Sequence, residues 1–342
     1  MTEITLLGVF FFVAIGVFLS FYAILDGFDL GVGMLYAFAR SEGDKSMIKN
    51  SVGPFWGANE VWLVATLASL FGAYPLAYGS LLSSFYLAIM LLLWSLMLRG
   101  VSFEFRNQLH SKIWKTIWDF AFVLGSFLIT LILGVAIGNI LVGLHLGTDH
   151  FYTGSFLDLF NPLALLIAVF IISVFLTHGA TFLLARTEGN IKEKIDNLFN
   201  LLWICYVALF VILSLVLIVT NSSILENYNS NTILWIIPIL ALISMVGVRY
   251  FNSIENYTYS FFCSVTTIAI LMIMVGIALF PNIIPALIST NSITIANASA
   301  SSMTLTGILI VMIISVPIIL IYTAFLYKVF IFKKVDSEIS HY

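Results

Sequence analysis

Nine apolar stretches, each long enough to cross a bilayer as an α-helix, constrain this chain more than any other feature. About 20 apolar residues, rising 1.5 Å each, span the hydrocarbon core of a membrane. The nine stretches lie at 4–25, 56–74, 76–98, 117–140, 162–185, 198–220, 232–250, 258–280 and 304–327. Hydrophobic residues make up 61% of the chain and charged residues 9%, which a water-soluble core does not explain. We therefore predict an all-α integral membrane protein in which residues 1–342 form a single transmembrane helical domain.

The first stretch is longer than a membrane requires. It continues as an apolar run to residue 38. A straight helix of about 35 residues would be about 50 Å long, well beyond the hydrocarbon thickness. We therefore predict that this helix tilts, bends or breaks near the glycines of GVGMLYAF, residues 31–38.

Positive charge is confined to alternate connections between the stretches and to the C-terminal end. These residues are Arg40, Lys45, Lys49, Arg99, Arg106, Lys112, Lys115, Arg186, Lys192, Lys194, Arg249, Lys328, Lys333 and Lys334. Because lysine and arginine favour cytoplasmic loops, we predict an external N-terminus and a cytoplasmic C-terminus, as an odd number of spans requires. The longest external connection, about 281–303, carries no charge, and we expect it to cap the outer face.

Charge and cysteine content exclude several other functions. A net charge of −3 without a basic patch does not suit nucleic-acid binding. The two cysteines, Cys205 and Cys263, lie in different apolar stretches without metal-ligand spacing, so we interpret both as core thiols and predict no metal site. Partners are therefore to be sought in the membrane.

Five ionisable side chains fall inside predicted spans, all in the cytoplasmic half of the membrane. They are Asp26, Asp29, Glu60, Asp119 and His178. A charged side chain at the bilayer centre costs about 2.5–3.5 kcal/mol on insertion scales, so those that persist are candidates for function. Asp26 and Asp29 share one helix face, where two ionised carboxylates would repel. Either they cap a helix break at the headgroup boundary, or they belong to a proton-conducting or polar network.

Two further polar stretches lie beside the membrane. In GPFWGANEVWL, residues 53–63, Pro54 precedes a helix start, and Asn59 and Glu60 follow Trp56 into the bilayer. Trp56 alone would be an interfacial anchor. A purely structural role explains Glu60 less well, because a carboxylate one turn inside an apolar helix needs a partner or a proton. In RGVSFEFR, residues 99–106, two arginines bracket Glu104, which suits a surface ion-pair network as well as a functional site.

These stretches, with DGFDLGVG at 26–33, resemble subunit II of the cytochrome bd quinol oxidase family. The resemblance extends to NPLALL at 161–166, HGATFLLART at 178–187, LFPNIIP at 279–285 and SVPIILIYTAFLYKVF at 315–330, in order along nearly the whole chain. It implies a nine-helix subunit of a bacterial or archaeal plasma membrane, paired with a related larger subunit I. That partner is expected to carry two haem b, one haem d and the site of quinol oxidation. The complex would reduce dioxygen to water and build a proton-motive force.

The resemblance implies no catalytic residue in this chain, and the positions of its polar residues in the cytoplasmic half favour a supporting role. The residues expected to line a cytoplasmic proton pathway are Asp29, Glu60, Asp26, Asn59 and Trp56. The residues expected in a further polar network are Arg99, Glu104, Asp119 and His178. For His178 we favour a polar helix contact or a place in the proton network over haem ligation.

One position departs from the family pattern. Many members carry an acidic residue directly after the tryptophan of the second motif, where this chain has Gly57. A proton site cannot be carried over to Gly57, but Glu60 lies about one turn further on a similar face and could supply the carboxylate.

Two other functions stay open at this point. Broken helices and buried carboxylates also suit a proton-coupled transporter, and the chain could be a passive scaffold for subunit I. Membrane lipid is an expected partner and quinol the expected substrate of the complex. Whether this subunit itself binds a quinone or a lipid is left open.

Overall fold

The computed structural model describes residues 4–220 and 222–331, so Lys333 and Lys334 lie outside the described residues. This part of the chain forms fourteen α-helices and one two-stranded antiparallel sheet. The helices are α1 (Leu6–Leu35), α2 (Glu42–Val52), α3 (Trp56–Asn59), α4 (Val61–Ala73), α5 (Pro75–Ser84), α6 (Tyr86–Phe105), α7 (Lys112–Val142), α8 (Pro162–Arg186), α9 (Gly189–Thr220), α10 (Glu226–Ser230), α11 (Ile236–Ser253), α12 (Tyr257–Leu279), α13 (Ile295–Ala298) and α14 (Ser302–Phe330). The strands are β1 (Asn282–Ile284) and β2 (Ile293–Thr294).

The helices confirm the predicted membrane bundle. Within the described residues, eight helices are long and apolar enough to cross a membrane by themselves. The remaining predicted span, 56–74, consists of α3 and α4. These two helices meet at Glu60, whose helical backbone angles (φ −63°, ψ −24°) continue the same path. With this pair, the described residues offer nine candidate crossings by length and composition.

The third span differs from its predicted bounds in a way that matters for the site. The stretch predicted at 76–98 is divided at Phe85 between α5 and α6, and α6 continues to Phe105. The prediction ended this span about two turns too early. Arg99, which the sequence places in a cytoplasmic loop, therefore lies inside the helix.

The first helix does not break at its glycines. Helix α1 is continuous from Leu6 to Leu35 and is followed by a short 3-10 turn, so of the predicted alternatives the break is wrong. Its glycines serve close packing instead. A Cβ atom at Gly31 would lie 1.9 Å from the carbonyl oxygen of Phe175, and one at Gly179 would lie 2.6 Å from the carbonyl carbon of Gly31. Small residues at such crossings let two membrane helices approach closely.

The external connection caps one end of the bundle, as predicted. Strands β1 and β2 pair within it, and Leu144 bridges to Ala286. The Asn291 side chain donates to the carbonyl of Leu146 at 2.9 Å. The described lysines and arginines lie at or near the opposite ends of their helices, in agreement with the predicted orientation.

The outer surface of the bundle is apolar. Cys205 is exposed on α9, so its interpretation as a core thiol is wrong, whereas Cys263 is half-buried. Little of α14 is buried against the rest of the chain. Such surfaces suit contact with lipid or with another membrane subunit.

Candidate functional site

Helix α1 places two carboxylates in the protein interior. Asp26 and Asp29 are 0% and 2% exposed, and both lie on an unbroken stretch of helix. The alternative of a water-exposed helix break at the headgroup boundary is therefore wrong for both residues. A carboxylate with so little exposure needs hydrogen-bond donors from neighbouring helices.

Arg99 supplies those donors for Asp26. One guanidinium nitrogen of Arg99, Nη2, lies 2.8 Å from Asp26 Oδ1 and 2.7 Å from Glu60 Oε1. Arg99 is itself only 1% exposed. A single cation thus connects α1, the junction of α3 and α4, and α6.

The packing of α6 against α7 explains why Arg99 points inward. A Cβ atom at Gly125 of α7 would lie 2.9 Å from the carbonyl oxygen of Ser95 and 3.1 Å from the Arg99 nitrogen. The two helices touch at this point, which leaves no room for a larger residue. The buried hydroxyl of Ser102 donates to the Arg99 carbonyl at 2.6 Å.

Asn59 connects the second carboxylate to the last helix. Its Nδ2 donates to Asp29 Oδ2 at 2.8 Å and to the Leu25 carbonyl at 2.9 Å. Its Oδ1 accepts a hydrogen bond from Tyr327 Oη at 3.1 Å. Asp29 is therefore held by a neutral amide, whereas Asp26 is held by a cation.

Glu60 connects this interior cluster to the surface of the chain. Its side chain is 27% exposed, and Gly57, one turn earlier, is exposed with open space where a Cβ atom would lie. Trp56, the residue before Gly57, stacks parallel to Phe103 at 5.5 Å and lies against Gly100. The structure thus brings together all five residues of the predicted proton pathway.

Asp119 belongs to a separate ionic cluster at the cytoplasmic end. Its carboxylate accepts hydrogen bonds from the Tyr36 hydroxyl, from Lys45 at 2.8 Å and from Arg106 Nε at 2.5 Å. Arg106 also pairs with Glu42 at 3.0 Å. Partial burial opposes ionisation of Glu42, but the hydrogen bonds and positive charge of its basic neighbours lower its pKa below the ordinary value.

Lys49 of α2 lies beside this cluster but outside its ion pairs. It is 3% exposed, and its Nζ donates to the Ser102 carbonyl at 3.0 Å. Three aromatic rings, those of Tyr36, Phe103 and Phe122, surround the ammonium with centroids at 5.5–5.7 Å. Burial lowers the pKa of Lys49 to about 7, because desolvation of the ammonium outweighs the attraction of nearby Asp119.

His178 forms a third polar contact, on α8. Its Nε2 lies 3.0 Å from the Ile24 carbonyl, which can only accept, so Nε2 donates. Its Nδ1 lies 2.7 Å from Ser264 Oγ, and the ring of Phe261 stacks on the imidazole at 5.0 Å. Both ring nitrogens are therefore engaged in helix-to-helix hydrogen bonds.

The four residues of the predicted polar network do not form one cluster. Arg99 belongs with the buried carboxylates, Asp119 with the cytoplasmic ion pairs and His178 with Ser264. Glu104 is exposed and forms no ion pair within the described residues.

Sequence reasoning missed several residues that contact the carboxylates or lie beside them. These are Tyr22, Tyr327, Tyr36, Lys45 and Lys49. Tyr327 lies within SVPIILIYTAFLYKVF, where a hydroxyl in an apolar helix was the available signal. Nothing in the sequence indicated that Lys45 and Lys49 contact or approach the buried groups, because a basic loop residue ordinarily faces water.

Comparisons with known proteins give a consistent result. The family model described as "Cytochrome bd terminal oxidase subunit II" matches residues 7–330. The chain is 32% identical to "Cytochrome bd-I ubiquinol oxidase subunit 2" of Escherichia coli (strain K12), over 96% of this chain and 95% of the relative. It is 27% identical to "Cytochrome bd ubiquinol oxidase subunit 2" of Bacillus subtilis (strain 168), over 96% of each. The fold matches a chain of the bd oxidase from Geobacillus thermodenitrificans with a TM-score of 0.77 and 18% identity, covering 96% of this chain and all of the other.

Proposed function

Because the chain belongs to the cytochrome bd terminal oxidase subunit II family, we propose that it pairs with and stabilises a subunit I and lines a cytoplasmic proton pathway of a bd-type oxidase. The complex oxidises membrane quinol and reduces dioxygen to water, with this chain as a multi-pass subunit in the inner membrane. Each dioxygen takes up four electrons and four protons to give two water molecules. Family membership favours this function over a proton-coupled transporter.

The haems of the complex fit the partner subunit better than this chain. Haem iron takes histidine, methionine or cysteine side chains as axial ligands. Among the described histidines only His178 lies within a span, and hydrogen bonds occupy both of its ring nitrogens. We therefore assign two haem b and one haem d to subunit I.

The proton pathway rests on one observation: a partly exposed carboxylate is hydrogen-bonded through a buried arginine to a fully buried carboxylate. Glu60 lies at the surface of the chain, and Arg99 joins it to Asp26. Asp29 and Asn59 continue the polar cluster along α1 towards the cytoplasmic end. Dioxygen reduction consumes protons inside a low-dielectric protein, so a relay of polar groups must deliver them. A carboxylate suits this task because burial favours its neutral form and polar partners favour its charged form.

The open face beside Glu60 indicates where the route leaves this chain. Gly57 is exposed one turn before Glu60, and a carboxylate exposed at this depth would be unfavourable against lipid. We propose that subunit I covers this face, so that Glu60 passes protons between the two subunits. Glu60 then takes the role that an acidic residue at position 57 has in other family members.

Two amide variants test the proton route with little change in shape. Glu60→Gln and Asp29→Asn in the assembled complex should leave haem content near the parental level. They should slow quinol-driven oxygen consumption and the accompanying proton uptake, most visibly as the pH rises and free protons become scarce. Glu104→Gln is the matched control, because Glu104 is exposed and has no ion pair among the described residues.

The same experiment separates the proton route from a scaffold role. If both amide variants assemble fully and match the parental rate from pH 6 to pH 9, the carboxylates are structural and the chain acts as a scaffold. The assignment of residues 1–342 to one transmembrane domain is likewise a proposal, supported by the packing of α1 against α4, α7, α8, α12 and α14. A bound quinone or lipid is a further proposal, for which the apolar pocket lined by Phe170, Phe210 and Met272 offers space.

A further inference from the structure

A groove of about 420 Å³ lies between α1 and α12 in the external half of the bundle. Its wall on α1 extends from Val9 to Ser20, and its wall on α12 extends from Met272 to Phe280, the residue after the helix. At 1.5 Å per residue the α1 wall is about 16 Å long. This length is about half of the hydrocarbon core, which is about 30 Å thick. The groove, which we call the outer groove, therefore has the depth of one leaflet of the bilayer.

Two glycines on facing walls leave the outer groove open. Nothing lies within 4 Å of a Cβ atom at Gly16 of α1 or at Gly276 of α12. Val13 and Ile273 line the groove and are 55% and 52% exposed, so the groove opens onto the outer surface of the chain. A ligand can therefore enter sideways from the membrane.

The external end of the outer groove is polar but uncharged. Its lining there consists of Asn227, Ser230 and Asn231, in and directly after the short helix α10. The Asn227 side chain donates from Nδ2 to the carbonyls of Ile277 and Phe280, at 2.7 and 2.5 Å. Both of its N–H groups are thus engaged, and its Oδ1 is left as an acceptor for a ligand.

Asn231 has the opposite arrangement. Its Oδ1 accepts a hydrogen bond from the Ile233 nitrogen at 3.3 Å, which leaves the N–H groups of its side chain as donors. At the inner end of the groove, the Ser20 hydroxyl donates to the Gly16 carbonyl of its own helix at 2.7 Å, so it needs no polar ligand. The outer groove therefore offers a donor and an acceptor at the membrane surface and apolar walls below them, as an entire phospholipid molecule requires.

The charge around the polar end selects the class of headgroup. Glu226 is exposed and directly precedes Asn227, and residues 221–231 contain no lysine or arginine. Binding of anionic headgroups depends on lysine and arginine, so an anionic lipid does not suit this end. A primary ammonium group carries three N–H donors, which suit the Asn227 oxygen and the Glu226 carboxylate. A choline headgroup has no N–H group and could not donate to either.

We propose that the outer groove binds one phosphatidylethanolamine molecule of the external leaflet. One acyl chain lies between α1 and α12, beside Gly16 and Gly276. The ammonium group donates to Asn227 and pairs with Glu226, and the phosphate accepts a hydrogen bond from Asn231. The lipid thereby connects the first helix to the external end of α12.

This site differs from the proposed proton pathway and from the apolar pocket lined by Phe170. The outer groove shares only Met272 with that pocket. The buried carboxylates of α1 lie further along the helix, beyond Ser20. The lipid proposal therefore depends neither on proton transfer nor on occupation of the other pocket.

A variant that fills the outer groove tests the acyl-chain site. Gly276→Leu places a side chain in open space, so it should exclude the lipid without disturbing the backbone. The assembled complex is purified in detergent, supplied with equal amounts of phosphatidylethanolamine and phosphatidylglycerol, and analysed by native mass spectrometry. The parental complex should retain one more phosphatidylethanolamine than the variant. Gly79→Leu is the matched control, because Gly79 of α5 also has nothing within 4 Å of a Cβ atom. Equal phosphatidylethanolamine retention in Gly276→Leu and the parental complex would overturn the site.

Two further variants test the headgroup. Glu226→Gln and Asn231→Leu should each lower the preference for phosphatidylethanolamine over phosphatidylglycerol several-fold. Glu104→Gln, at the cytoplasmic end of α6, should leave the preference unchanged. A parental complex that retains both lipids equally at this site would overturn the headgroup assignment.

A cryo-electron-microscopy map of the assembled complex identifies the occupant directly. We expect forked lipid density with its headgroup beside Asn227 and one tail between Gly16 and Gly276. A quinone ring in the outer groove, or a helix of subunit I covering it, would overturn the proposal. Parental oxygen consumption in Glu60→Gln and Asp29→Asn would reject the proton pathway and leave the lipid site standing.

Discussion

Arg99 and Asp26 form an ion pair of 2.8 Å in which both side chains are buried, although 73 residues separate them in the chain. The same guanidinium nitrogen also binds Glu60. Two carboxylates thus share one cation in the interior of the bundle. Removing that cation would leave two carboxylates without a counter-charge.

Arg99→Met should therefore reduce assembly of the complex. Loss of one partner of a buried ion pair costs about 3–5 kcal/mol, because the remaining charge is uncompensated. The amount of assembled complex is measured by haem content per membrane protein. The triple variant Arg99→Met, Asp26→Asn, Glu60→Gln should recover assembly but not turnover. Full assembly of Arg99→Met alone would show that the pair does not hold the helices together.

Gly57→Asp should restore function to Glu60→Gln. Position 57 is exposed with open space for a Cβ atom, and it lies one helical turn from Glu60 on a similar face. A carboxylate there returns a proton-carrying group to the same exposed surface. Oxygen consumption of the double variant should exceed that of Glu60→Gln several-fold, at equal haem content. Equal rates in the two variants would mean that Glu60 does not stand in for the missing family carboxylate.

Gly31→Ala should destabilise the bundle at the crossing of α1 and α8. The added Cβ atom would lie 1.9 Å from a backbone oxygen of α8, which cannot move aside as a flexible side chain could. Gly16→Ala is the control on the same helix, because nothing lies within 4 Å of a Cβ atom there. Alanine favours a helix over glycine by about 0.5–1 kcal/mol, so the control should be neutral or slightly stabilising. The thermal midpoint of the purified complex distinguishes the two, and similar midpoints would contradict the close packing.

Lys49→Met should raise the thermal stability of the complex near pH 6.5, and the gain should shrink towards pH 9. Burial lowers the pKa of Lys49 from 10.5 to about 7 in the folded chain. Between these values the unfolded chain binds more protons, so stability rises with pH by up to about 1.4 kcal/mol per unit. Below pH 7 both states are protonated, and the full penalty of the buried ammonium remains.

The control for this pH dependence lies in the same helix. Lys45→Met removes a partly exposed lysine that pairs with Asp119 at 2.8 Å, and it should lower the thermal midpoint. Besides Asp119, the charged groups near Lys49 are Arg106, Lys45 and Glu42. A pH-independent effect of Lys49→Met would show that the three aromatic rings stabilise the ammonium fully.

The sequence predicted the membrane bundle well because lipid permits few kinds of backbone structure. A span needs a long apolar run, and unbonded backbone cannot face hydrocarbon, so length alone identified the crossings. Asp26, Asp29 and Glu60 stood out for the same reason, since charge is costly at that depth.

The pairing of these residues could not be predicted. Arg99 was placed in a loop because the apolar run ends at residue 98, whereas the helix continues to Phe105. In helices that are apolar all round, hydrophobic periodicity does not show which face turns inward. Asn59 and Tyr327 lie 268 positions apart in the chain. A single sequence does not show which distant residues come into contact.

The long separation between Asp26 and Arg99 has a consequence for biosynthesis. At about 5–20 residues per second, the ribosome needs about 4 to 15 s to make the intervening chain. The first helix therefore reaches the insertion machinery with both aspartates before their partners exist. Its apolar N-terminal two-thirds must anchor it during that interval, while Asn59 and then Arg99 are still being made. The hydroxyl of Tyr327 arrives with the final helix, so the polar cluster is complete only when synthesis is nearly finished.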